Sequence, residues 1–110
     1  MTLARWLDAR RPAPPPALRA RIDTALGSGL HEDAVDPAES FLSAAERLVR
    51  ALLDENATSR GSALDLLAAD ALVTYAFEAL SERPRQLPAR ASEAMSRIAA
   101  LAHGQAGARA

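Results

Sequence analysis

The segment from Ser62 to Glu82 constrains the fold most. At about 100° per residue, Leu64, Leu67, Ala68, Ala71, Leu72 and Tyr75 fall on one side of a helix. Leu66, Val73, Phe77 and Leu80 fall on roughly the opposite side. Only Asp70, Thr74, Glu78 and Ser81 form a polar strip. A helix apolar over most of its circumference must be buried against more than one neighbour. This segment is therefore read as the central helix, starting near Ser62 with Asp65 completing a capping-box pattern. Aspartate at Leu67 or Phe77 is expected to unfold the domain, whereas Glu46→Ala is not.

The other elements follow from periodicity and punctuation. Asp36 as N-cap, Pro37 at the first helical position and Glu39 three residues after the cap open a helix over 37–54. Its stripe is Phe41, Leu42, Ala45, Leu48, Val49, Leu52 and Leu53, with Glu46, Arg47, Arg50 and Asp54 off it. Leu18, Ile22 and Leu26 mark a helix over 17–26, closed by Gly27 and Gly29. Leu30 to Val35 is read as an acidic loop. A last helix opens at Pro88, carries Ala91, Ala94, Met95, Ile98, Leu101 and Ala102, and stops at Gly104. His103 is then a cation near its C-terminus.

Thr2 to Arg10 reads as a short helix capped by Thr2, with Leu3, Trp6 and Leu7 on one side. It is too short to stand without tertiary support. Pro12, Pro14, Pro15 and Pro16 end it and favour an extended connector. The expected fold is all-α: a small four-helix bundle-like domain with a short N-terminal helical arm. Residues 1–16 are the arm and connector, 17–104 the helical domain, and 105–110 a frayed tail. Composition agrees, with 27 Ala and 16 Leu against three Val and two Ile. Ala and Leu favour helix, and the β-branched residues that suit a strand are scarce.

Charge is segregated along the chain. Residues 1–21 carry +4, residues 22–82 carry −9 and residues 83–110 carry +4, within a net charge of −1. An acidic middle between basic ends can close on itself or on a second copy. It lacks the broad basic face of a nucleic-acid binder, so no sequence-specific nucleic-acid binding is expected. All thirteen basic residues are Arg, which with the Ala content fits GC-rich, bacterial coding. Zero cysteines exclude disulfides, thiolate metal sites and a cysteine nucleophile. No apolar run is long enough to span a membrane. The first twenty residues lack a signal-peptide core, which points to the cytoplasm.

Reactive chemistry is sparse. No Gly-x-Ser-x-Gly elbow and no glycine-rich phosphate loop occur. His31 with Glu32, Asp33 and Asp36 is the one combination that suggests a divalent ion. An acidic loop feeding a capped helix accounts for the same residues. Leu30-His31-Glu32-Asp33-Ala34-Val35-Asp36 resembles the aspartate-rich metal–diphosphate motif of polyprenyl synthases. Leu67 to Leu80 is similar to a later helix of that family. Glu32 replaces the motif's first Asp, Ala69 replaces the family's helix glycine, and the second aspartate-rich motif is missing. The activity is not carried over.

The resulting expectation is a non-catalytic helical protein with no catalytic, cofactor or metal site. It acts through protein–protein contact, either by self-association, such as a homodimer, or as an adaptor or accessory subunit. The alternative is a small regulatory protein that binds a ligand or metal. Interface candidates are Leu3, Trp6 and Leu7, flanked by Arg5, Arg10 and Arg11. The arm they form docks either on its own bundle or on another chain, with Glu32 to Glu39 as its electrostatic target.

Overall fold

The computed structural model describes residues 1–55, 59–82 and 87–108. The described residues form five α-helices: α1 (Leu3–Asp8), α2 (Pro16–Leu26), α3 (Pro37–Glu55), α4 (Arg60–Ser81) and α5 (Leu87–Ala108). A 3-10 helix, Gly27–His31, follows α2 directly. The described residues form no strand; a single isolated antiparallel bridge joins Thr2 to Asp33. The all-α class read from the sequence is the class observed.

Local chemistry explains most boundaries. Thr2 caps α1, its hydroxyl accepting from the Arg5 N–H at 3.2 Å. Pro15 is extended at φ −55° and ψ 148°, and Pro16 opens α2 at a position where a missing N–H costs nothing. Gly27 ends α2 at φ +60°, a conformation that a side chain would strain. Asp36 caps α3: its Oδ1 accepts from the Glu39 N–H at 3.2 Å, with Pro37 next in line.

Three boundaries differ from the sequence reading. The cap of α4 is Ser59, whose Oγ accepts from the Ser62 N–H at 3.1 Å, so the helix starts at Arg60. Asp65 does not close a capping box; it pairs with Arg21 at 2.8 Å. At the other end of the chain, α5 runs through Gly104 to Ala108. One glycine costs a helix only about 1 kcal/mol, and the alanines beside it favour continuation. His103 therefore lies inside α5 rather than in its last turn. The expected acidic loop is also shorter, because Gly27–His31 is helical and Leu30 is buried.

Helices α3 and α4 form an antiparallel hairpin with the largest interface in the molecule. Helix α2 lies across both, and α1 returns over the end where α3 begins and α4 finishes. The core is one continuous cluster. Phe41, Leu7, Ile22 and Leu72 are its largest fully buried side chains. Helix α5 packs along a narrow strip of α3 and α4, and Ala94 is its one buried residue among those described. Arg90 meets Asp36 at the start of α3, and Arg97 meets Glu39 and Glu46 further along it. The two helices thus run in the same direction.

Candidate functional site

The predicted interface residues lie mostly inside the protein. Leu3, Trp6 and Leu7 are 2%, 2% and 1% exposed, so α1 docks on its own bundle. The Trp6 ring sits 4.9 Å from Phe41 and 5.7 Å from Tyr75, centroid to centroid. Its indole N–H donates to Glu82 at 3.2 Å. The Arg10 guanidinium covers the outer face of the ring at 3.7 Å and approaches Glu78 and Glu82, each at 3.7 Å. Desolvating an indole is costly unless its N–H is bonded; here that bond is to a half-exposed carboxylate. Arg5 is exposed, and Arg11 donates to the backbone carbonyls of Asp8 and Arg10. An open cleft of about 750 Å³ lies beside this latch, lined by Arg10, Pro12, Tyr75, Glu78 and Glu82 among others. Burial raises the Tyr75 hydroxyl above its ordinary pKa, and the Glu78 carboxylate adds to the shift.

The acidic stretch is engaged from two directions. The Met1 amino group pairs with Asp33 at 3.3 Å, and the Ala34 N–H donates to the Met1 carbonyl at 3.0 Å. Asp36 is occupied twice, capping α3 through Oδ1 and accepting from Arg90 at 2.8 Å through Oδ2. His31, Glu32 and Asp33 are exposed. Among the described residues, no group of three His, Asp or Glu side chains is arranged to hold a metal ion. The stretch that resembles the polyprenyl synthase motif ends at the cap of α3, and Asp33 and Asp36 within it pair with the chain's own cations.

One carboxylate departs from the sequence reading. Glu46, expected on the exposed side of α3, keeps only 15% of its side chain exposed, between Arg97 and Arg50. Arg97 also reaches Glu39 at 2.7 Å. The hydrogen bond to Glu39 raises the Arg97 pKa above its ordinary value, against the opposing effect of burial. This cluster, with Leu53, Asp54, Ala100 and Leu101, lines a cleft of about 380 Å³ between α3 and α5. Its central cation already has carboxylates on two sides.

The basic ends therefore close on the acidic middle of the same chain, through Arg10, Arg19, Arg21, Arg90 and Arg97. Such half-exposed pairs contribute about 0–1 kcal/mol each. Asp70 and Glu78 face solvent, Glu78 with Arg10 near it.

Large apolar side chains also remain open. Leu66 and Leu67 on α4 are 60% and 58% exposed, and Met95 on α5 is 57% exposed. Leu67 was expected in the core; the covered face of α4 is instead Ala68, Ala69, Leu72, Tyr75, Ala76, Ala79 and Leu80. Phe77 is half-buried against the core. Neither family models, nor curated proteins, nor solved structures include a match to this chain. Among the described residues, no helix is long and apolar enough to cross a membrane.

Proposed function

We propose that this chain is a non-catalytic helical protein that works through protein–protein contact. The observation that carries this reading is the exposed Leu66–Leu67 pair on the most apolar helix of the fold. Exposed large side chains that adjoin one another mark interaction surfaces more often than scattered single ones do. The charges point the same way: the best-formed carboxylate–arginine clusters are consumed in holding the chain together. The clefts beside them are lined by charged side chains, Arg10, Glu46, Glu78 and Arg97, that are already paired with one another.

Native mass spectrometry of the chain, isolated without denaturation from cells that produce it, tests the reading. The expected species is an assembly of protein chains, of one kind or two. A lone chain carrying a small molecule or a metal ion would overturn the proposal in favour of a ligand-binding role.

A further inference from the structure

The exposed side of α4 has an internal order. Arg60, Ala63, Leu67, Asp70 and Thr74 recur at alternating spacings of three and four, and all five are exposed. That spacing makes one straight seam, the kind through which two helices pack knobs into holes. Leu66 flanks it and is equally exposed. Neither Arg60 nor Asp70 has an ion-pair partner among the described residues, whereas most other cations of the fold are paired within it.

The seam is complementary to its own reverse. Read forwards it runs cation, small, large, anion; read backwards it runs anion, large, small, cation. Two copies laid antiparallel about an axis near Asp65 would place Arg60 of each against Asp70 of the other. The same alignment would set Leu67 of each against Ala63 of the other. A parallel pairing would instead set like charges and like volumes together. A two-fold interface requires this reciprocity, residue i meeting j while j meets i. Arg60 and Asp70 lie about 15 Å apart along the helix axis at 1.5 Å per residue, so both pairs form over three turns of helix.

From this complementarity we infer that α4 is a self-association surface, and that its occupant is the same face of a second copy, packed antiparallel. The inference rests on the protein-contact reading above and names its partner and surface.

Light scattering across a concentration series tests it, with wild type and four variants. Wild type is expected to form a dimer. Leu67→Glu is expected to remain monomeric, with a circular-dichroism melt equal to that of dilute, monomeric wild type because the side chain is exposed. Arg60→Asp and Asp70→Arg each disrupt two symmetry-related pairs. Each should weaken the dimer roughly tenfold, since two attractive pairs become two repulsive ones. The double variant Arg60→Asp with Asp70→Arg restores both pairs and should recover wild-type affinity. A wild type that stays monomeric to about 1 mM, weaker than any specific dimer of use, overturns the inference. So does a double variant no tighter than the singles. If a monomer in this series is nevertheless recovered from cells bound to a different chain, only the self-pairing fails. If it is recovered alone, the protein-contact reading fails with it.

Discussion

Both halves of α4 carry large apolar side chains, and the two live in different surroundings. From Leu72 to Leu80 the helix is enclosed by α1, α2 and α3, with Tyr75, Ala76, Ala79 and Leu80 all buried. Before Ala68 it has α3 on one side and α2 crossing another, and Leu66 and Leu67 stand in solvent. The difference comes from the short elements. Helix α1 has six residues and α2 eleven, enough to roof one end of a 22-residue helix and not both. Hydrophobicity states how many sides of a helix seek cover; the lengths of its neighbours decide which sides obtain it.

The contrast is broken most severely at the roofed end. Trp6→Ala removes a ring that touches Phe41 and Tyr75, and such truncations cost about 3–5 kcal/mol. Urea denaturation should show a loss of that size, with the mass in solution unchanged. Helix α4 itself gives the sharpest internal comparison. Leu72→Ala, at a fully buried position, should cost about 2–5 kcal/mol. Leu67→Ala, one turn and a residue earlier, should stay within about 0.5 kcal/mol when measured on dilute, monomeric protein. Equal losses at the two sites would show that the open half is covered.

Helix α5 falls between these extremes. Arg97→Ala leaves Glu39 without its cation and Glu46 with Arg50 alone, and two half-exposed pairs at about 0–1 kcal/mol each put the loss at about 1–2 kcal/mol. A chemical melt should register that loss, and amide exchange in α5 should quicken more than in α3. The smallest effect is a pH dependence at the roofed end. The Tyr75 pKa is raised in the fold, so the native state holds its proton at pH values where the unfolded chain has released it. The stabilisation is complete below the ordinary tyrosine pKa, about 10. It is lost as pH rises from there through the folded value. Thermal melts should decline across that range, and Tyr75→Phe should decline less.

The fold class and α3 were legible because their signals are local. Asp36, Pro37 and Glu39 sit together in sequence and do together what such residues do, so that boundary is as read. Ser59 and Ser62 show the limit: both can cap, their hydroxyls lie 3.0 Å apart, and spacing alone does not choose between them. Leu67 was assigned to the core because periodicity counts apolar sides without seeing neighbours. Glu46 was set on the surface because charge is a good guide to exposure until a cation from another helix arrives, and Arg97 lies 51 positions away. The docking of Trp6 depends on Glu82, 76 positions further on, and no local pattern carries that information. The exposed seam of α4 was half visible, as Asp70 and Thr74 in a polar strip. Leu67 joins it only once the covered face is known.

The bond between Trp6 and Glu82 also bears on synthesis. Leu3, Trp6 and Leu7 are synthesised before Phe41, Tyr75 and Glu82. Until α4 has emerged, the indole has neither its ring partners nor its acceptor, and a six-residue helix cannot shelter it alone. Any stretch of nascent chain that has emerged ahead of α4 therefore carries these side chains uncovered. Burial of the one tryptophan therefore reports that the chain has emerged as far as Glu82 and closed.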